Sequence, residues 1–541
     1  LDKMVPRIPN ENHFHRFVHN RYTQFMNSKN SLEDYFSGFR ANIIGQEQMF
    51  ESAFGYKKIV YADWTATGRA YGPIEACLQE KILPFLANTH TETTVTGKCM
   101  SRAYEEAREI IKEHVHANSG DVLILCGSGM TAAVNKLQRI LGLRIPEKVC
   151  DYFGKDCLQL DEESKPVVFV THMEHHSNQI SWLETISTVE IIQPDENGQV
   201  DLDHFKILLN LYKNRKIKIA AVTACSNVTG IQTPYHEIAK LIHEYNGWCF
   251  VDFACSAPYA DINMHPKEKG GDLDAIYFSA HKFLGGPGTP GILIFNGKLY
   301  KNEIPDQPGG GTVVYSNPWK VHEYVRNTEQ REDGGTPAFL QAIKAAMCIR
   351  LKEQMGIENI LKREEEMLDI IFSRFSKMKN VHVLAENIKK RLGVISFTID
   401  GAHYPLIVKL LNDRFGIQTR GGCSCAGTYG HVLLKVNKET SYNILNKIRS
   451  GNLLYKPGWI RLSIHPTMSG TEIDFIMDSI EETAGNFQEW AQDYSYMAES
   501  NEYVFNGPES QVFKGYLSVR NFPLWPALNK GSYTLLKTCS L

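Results

Sequence analysis

The sequence predicts an α/β protein: a mostly parallel sheet of seven strands covered by helices on both faces, followed by a smaller α+β region. Two observations carry this. Short β-rich runs are apolar almost throughout instead of alternating with polar residues, the pattern of strands buried on both faces. Amphipathic windows with helical spacing separate several of these runs, as crossover connections between parallel strands require.

In chain order, residues 1–55 read as a polar, helix-leaning preamble. A large domain follows over 56–335. Its strand candidates are 121–126, 166–171, 188–193, 217–225, 248–252, 273–279 and 290–295. Helical windows fall at 101–115, 130–142, 201–213 and 234–245; the first puts Tyr104, Ala107, Ile110, Ile111 and Val115 on one face. Glycines punctuate 285–311 and 334–335. A smaller domain over 336–490 opens with helical patterns at 337–354 and 356–378, and an aromatic- and proline-rich extension occupies 491–541. At 541 residues the chain has ample length for a sizeable core.

Composition narrows the function classes. A net charge of -3, with 22% charged residues, offers neither the basic surplus of a nucleic-acid binder nor a charged tail. Apolar runs such as 219–225 fall far short of the roughly 20 residues of a membrane helix, and no secretory signal pattern is visible. The twelve cysteines follow no disulfide framework, which reads as free thiols in a reducing, cytoplasmic setting.

In parallel sheets function gathers at the carboxyl ends of strands. Ser279-Ala280-His281-Lys282 ends one run ahead of Gly285-Gly286. Desolvated there, the Lys282 amine becomes a nucleophile toward an aldehyde; an exposed lysine in a loop is the competing reading. Asp252 ends another run, where a carboxylate can hold a pyridine nitrogen protonated or simply cap a helix. Cys126-Gly127-Ser128-Gly129-Met130-Thr131 joins strand to helix with small residues, so backbone N–H groups can approach a phosphate; a plain strand–turn–helix is the alternative. In Thr171–Asn178, His175 could stack on a flat cofactor or be a satisfied loop histidine, and the spacing is not that of a metal site. In Arg420-Gly421-Gly422-Cys423-Ser424-Cys425, a cysteine near arginine can be a thiolate, or an inert loop residue.

Together, Glu174-His175-His176-Ser177-Asn178, Ser226-Asn227-Val228-Thr229-Gly230, Val251-Asp252, Ser279-Ala280-His281-Lys282, Gly335-Thr336-Pro337 and Arg461-Leu462-Ser463 resemble, in order, the class V aminotransferases of PLP fold type I. Within that family they resemble the cysteine desulfurase and selenocysteine lyase branch, over about 60–490. The resemblance implies pyridoxal 5′-phosphate (PLP) in Schiff-base linkage to Lys282, with Asp252 on the pyridine nitrogen and His175 on the ring. It implies phosphate contacts from Gly129, Met130, Thr131, Ser279 and His281, and from Thr336 toward a neighbouring subunit, hence a homodimer with shared sites. Asn227, Arg461 and Arg420 would serve the cofactor and the substrate carboxylate. Cys425 would be the nucleophile that takes sulfur from L-cysteine as a persulfide, releasing alanine, with an acceptor protein to follow.

Three features depart from that pattern. Cys255 stands where the family has a glutamine bonding the cofactor's phenolic oxygen, and a thiol is a weaker donor. Cys423-Ser424 replaces a histidine pair, and the stretch from Arg420 to Arg461 is long. These leave open a C–S lyase, selenocysteine lyase, transaminase or epimerase on the same scaffold, and a non-catalytic protein of the same fold.

Overall fold

The computed structural model describes residues 31–89, 93–154 and 160–507. Seven strands form the central sheet: β1 (Asp121–Cys126), β2 (Val167–Thr171), β3 (Thr188–Ile192), β4 (Lys218–Thr223), β5 (Trp248–Asp252), β6 (Ala275–Ser279) and β7 (Gly291–Asn296), in the order β1-β7-β6-β5-β4-β2-β3. The neighbours from β3 to β6 pair in parallel. β7 runs antiparallel to both β6 and β1. The fold class expected from the continuous apolar runs is the one observed, and the reason is visible in β2. Phe169 packs into one core with Ile111, Val222 and Phe278, while Val168 and Val170 face a second core with Val134, Ala221 and Leu293. Successive side chains point to opposite faces, and here both faces are dry.

Helices Met130–Ile140 and Tyr235–Glu244 pack on the strands. Helix Val95–His114 packs on helix Phe339–Met355 and begins six residues before its apolar periodicity, because the Thr94 hydroxyl accepts from Gly97 N–H and caps it. A second sheet of four antiparallel strands has the order β8 (Val381–Val383), β9 (Val394–Ile399), β11 (Trp459–Ser463), β10 (Arg420–Gly422). Trp459 is fully buried there.

The described part of the preamble is only partly helical. Helix Leu32–Arg40 is followed by a hairpin, Met49–Ser52 with Gly55–Lys58, whose Gly55 takes φ 86° at the turn. The chain then pairs Val60–Tyr61 in parallel with Ile417–Gln418 and bridges Asp63 to Ser463. The start of the chain is thereby stitched to the small sheet. A hairpin over Tyr494–Met497 and Glu502–Phe505 opens the C-terminal extension, and Phe505 meets Phe54 edge-on at 5.3 Å; the rest of that extension lies outside the described residues. Among the described residues no helix is long and apolar enough to cross a membrane.

Because β7 is reversed, its first residue, Gly291, lies at the same sheet edge as the ends of β1 and β6. A Cβ on Gly291 would lie 2.2 Å from the Gly129 carbonyl oxygen and 2.7 Å from that of Cys126. Gly291→Ala is therefore expected to destabilise the fold by ~1–3 kcal/mol through overpacking, read as a lower midpoint in denaturant. An unchanged midpoint would contradict the close approach.

Candidate active site

Strands β1 to β6 run the same way, and the segments leaving five of them, β1, β2, β4, β5 and β6, converge on one side. A cleft of about 720 Å³ opens there, lined by residues from all five exits, by Arg420 and Arg461 of the small sheet, and by Cys425 in the loop after Arg420–Gly422.

Lys282 closes a 3₁₀ turn, Ala280–Lys282, directly after β6. Burial lowers its pKa from the usual lysine value, and nearby Arg461 adds to this, against the opposing charges of Cys255 and Asp252. Asp252, the last residue of the adjacent strand β5, is buried and accepts from Ala254 N–H at 2.8 Å. Burial pushes its carboxyl up to about 6, partly offset by that bond and by Lys282. The two groups share a cleft wall, and desolvation works against the charge of each.

His175 caps helix His176–Leu183, its Nδ1 accepting from Ser177 N–H at 3.1 Å. Burial, then the charges of Lys282, His176, Arg461 and Arg420, lower its pKa to about 3. The ring is neutral at pH 7, with its proton on Nε2. Glu174 beside it is fully buried and accepts from Thr171 Oγ1 at 2.6 Å, Asn178 Nδ2 at 2.8 Å and Thr223 N at 2.8 Å. It thereby ties the exits of β2 and β4 together, and burial raises its carboxyl to about 8.

At the exit of β1, helix Met130–Ile140 starts from Gly129, which has no side chain to cap it. Met130 N–H donates to Ser279 Oγ at 2.9 Å, and Thr131 Oγ1 shares a 2.7 Å bond with Ser177 Oγ. His281 Nδ1 lies 3.2 Å from Thr67 Oγ1; burial, then the Lys282 charge, lower its pKa to about 4. A Cβ on Gly129 would lie 3.0 Å from Ser279 Oγ, so its small size keeps this corner open.

Arg461, on β11, is only 3% exposed. Its Nη1 donates to the Asn227 carbonyl at 3.1 Å and its Nη2 to Asp63 Oδ1 at 2.6 Å, while Nε has no hydrogen-bond partner among the described residues. Arg420 reaches the other Asp63 oxygen at 4.0 Å. The Asn227 amide donates to Ser424 O at 2.7 Å. Cys255 is buried, and its Sγ and that of Cys225 point at the same Ser226 carbonyl oxygen, at 3.6 and 3.7 Å. A hydrogen bond from Cys225 lowers the Cys255 pKa, with Lys282 and Arg461 adding to it against burial. Cys425 lies at the cleft and Cys423 one step away, packed against the core.

The cleft thus gathers every candidate residue named from the sequence except Thr336, which is exposed and lies outside it. Motif reading missed Asp63 and Cys225. Asp63 ends the short apolar run 59–62, the same strand-end signal as Asp252; Cys225 had no local signal beyond its buried strand.

A model of the family described as Aminotransferase class-V matches residues 155–476. A probable cysteine desulfurase of Halalkalibacterium halodurans is 29% identical over 377 residues, covering 68% of this chain and 84% of the relative. One from Staphylococcus epidermidis is 27% identical over 390 residues, covering 71% and 87%. The apo cysteine desulfurase of Thermococcus onnurineus superposes with a TM-score of 0.66 at 23% identity, covering 83% of this chain and 98% of that one. A cysteine desulfurase of Escherichia coli gives 0.63 at 18% identity, covering 84% and 98%. The fold is that of these enzymes.

Behind Cys255 lies Glu364, fully buried, with one carboxylate oxygen unpartnered among the described residues; burial raises its carboxyl from 4.5 to about 8. Between those values the unfolded chain releases a proton that the folded chain keeps, so this group's contribution weakens as pH rises from 4.5 to about 8. Glu364→Gln is expected to melt higher than the wild type near pH 9, with the gain shrinking toward about pH 5. A difference that does not vary with pH would refute it.

Proposed function

The chain belongs to the class-V aminotransferase family, and on that premise we propose that it is a PLP-dependent, cysteine desulfurase-like enzyme that removes sulfur from L-cysteine and releases alanine. One observation carries the reading: Lys282, Asp252 and Cys425 share a single cleft with the buried guanidinium of Arg461. Relatives of this chain named as probable cysteine desulfurases support it.

The residues fit the cofactor. The uncapped helix start at Gly129–Thr131, with Ser279 and His281, suits a phosphate. Asp252 suits a pyridinium, and the neutral His175 ring suits a stacked partner. Lys282, its amine favoured by burial, suits a Schiff base with an aldehyde. When bound, PLP supplies an electron sink for the charge left at the substrate's α-carbon.

The chain's own residues do the rest. Arg461, oriented by Asp63 and the Asn227 carbonyl, receives the substrate carboxylate. Arg420, also drawn to Asp63, adds positive charge at the rim. The Lys282 amine takes the α-proton and returns it. As its S–H proton leaves, the Cys425 sulfur forms an S–S bond to the substrate sulfur and the carbon–sulfur bond breaks; the electron pair stays on carbon and is protonated to give alanine. A thiol acceptor then relieves Cys425 of the persulfide. A second reading, another amino-acid reaction such as a C–S lyase, selenocysteine lyase, transaminase or epimerase, is favoured by Cys255 at the cleft floor, where the family carries a stronger hydrogen-bond donor.

The strands Val313–Ser316 and His322–Tyr324 form a hairpin that exposes Val314, Tyr315, Trp319 and Val321, with Trp319 78% exposed. Such a patch supports burial against a second copy. Val325 N–H closes the base of the hairpin on Thr312 O at 2.9 Å, and the segment leading into it is tied to the Thr336 loop by Gly335 N–H donating to Gly310 O at 2.8 Å. These contacts support a homodimer in which Thr336 serves the neighbouring cleft. The nine free cysteines among the described residues support a reducing, cytoplasmic setting.

The purified protein fed L-cysteine is expected to yield alanine in step with a +32 Da species on Cys425 (roughly one sulfur, read by mass spectrometry). Cys425→Ser should lose sulfide and persulfide formation by about 10²-fold or more, and full turnover by that variant would refute sulfur transfer through this thiol. Lys282→Ala is expected to lose the bound-cofactor absorbance on dialysis; an unchanged spectrum would exclude Lys282 as the anchor. Trp319→Asp should shift the sedimentation coefficient from dimer to monomer, and a wild-type monomer would refute the shared-site arrangement.

A further inference from the structure

The loop that carries Cys425 holds an unfavourable backbone. Ser424 and Cys425 take φ values of 50° and 57° in succession. Non-glycine residues keep this left-handed conformation where surrounding contacts enforce it. Three hydrogen bonds do so here. The Asn227 amide donates to Ser424 O at 2.7 Å. His176 N–H donates to Cys425 O at 2.6 Å. Gly427 N–H donates to Nε2 of the His176 ring at 2.9 Å.

One residue therefore grips the chain on both sides of Ala426. Its backbone N–H, an orphan donor in the first turn of helix His176–Leu183, finds the Cys425 carbonyl. Its ring finds the N–H that opens helix Gly427–Leu433. A Cβ on Gly427 would lie 3.0 Å from Nε2, so glycine permits the close approach. The ring bond needs an unprotonated Nε2. Burial, then the charge of Lys456, favour the neutral imidazole. The His175 ring, 6.4 Å away, is neutral too, and the adjoining Thr428–Gln179 pair carries no charge. The two histidines of the doublet thus face different ways, His175 toward Lys282 and His176 toward the thiol loop.

We propose that His176 is the positioning residue for Cys425: its backbone donor and ring acceptor together hold the loop in the left-handed conformation that presents the thiol to the sulfur of a bound amino acid. This rests on Cys425 being the sulfur-accepting nucleophile, and it adds the residue that aims it. Lys282, Asp252 and Arg461 make no contact with the two His176 bonds; Asn227, which holds Ser424 and accepts from Arg461, is left unchanged in the test.

The test uses the full-length holoenzyme with three variants. His176→Leu removes the ring acceptor, His176→Gln retains one, and Gly427→Pro removes the donor while setting ring carbons against the His176 imidazole, so His176→Leu and Gly427→Pro both break the ring contact. Alkylation of Cys425 by iodoacetamide, without L-cysteine, is followed by mass spectrometry. In His176→Leu and Gly427→Pro it is expected to run about 3-fold or more faster than in wild type, because loops freed from tertiary contacts open more often. In the same two variants kcat for alanine formation should fall about 10-fold or more, with KM for L-cysteine and cofactor absorbance unchanged, as misplacement at a reacting centre predicts. His176→Gln should recover most of both. Wild-type alkylation rates in both His176→Leu and Gly427→Pro overturn the proposal. So does a His176→Gln variant as impaired as His176→Leu. If His176→Leu does not fold, Gly427→Pro and His176→Gln decide alone. Alkylation needs no turnover, so a wild type that makes no alanine from L-cysteine would refute the desulfurase reading while the alkylation rates still judge the clamp.

Discussion

The cleft depends on two groups of opposite charge held at the ends of adjacent buried strands. β5 and β6 pair in parallel, so Asp252 and the turn carrying Lys282 leave the sheet side by side. Both sites are dry enough to work against ionisation, which raises the acid and lowers the amine. A pair of this kind is costly to bury unless each partner compensates the other or a ligand does. The rest of the cleft is lined by the helix start at Gly129–Thr131, the neutral imidazole of His175 and the buried guanidinium of Arg461.

That guanidinium comes from the other sheet. Arg461 reaches the cleft because the N-terminal segment runs beside the small sheet, pairing Val60–Tyr61 with Ile417–Gln418 and bridging Asp63 to Ser463. Asp63 and the Asn227 carbonyl fix the plane of the arginine fork, which suits it to a planar anion. Residues that precede the central sheet in sequence therefore help to shape the site. The Cys425 loop is assembled in the same way, from the exits of β2 and β4 gripping a strained segment beside the small sheet.

The departures from the family pattern fall at the points where sulfur chemistry would be tuned. Cys255 and Cys225 meet at the Ser226 carbonyl, which puts a polarisable thiol where a hydrogen-bonding amide is usual in the family. Cys423 lies one residue from Ser424 in the thiol loop, against the core, where it leaves Cys425 as the thiol at the cleft. These substitutions retain the charge arrangement of the cleft and change the polarity and softness of its lining.

By itself the sequence determined the buried strands, their seven runs and the chemistry at their ends, because local apolar patterning and strand-terminal residues are written within a few positions of each other. Lys282, Asp252, His175 and the Gly129–Thr131 turn were legible for that reason, with strand bounds close to those observed. Strand order, the reversed β7, the Asp63–Arg461 pair and the His176 clamp were decided only by the tertiary structure. The last two join residues 398 and 251 positions apart. No local pattern encodes such contacts; they exist because packing two sheets and a stitched N-terminal segment brings distant polar groups into one desolvated space, where each must find a partner.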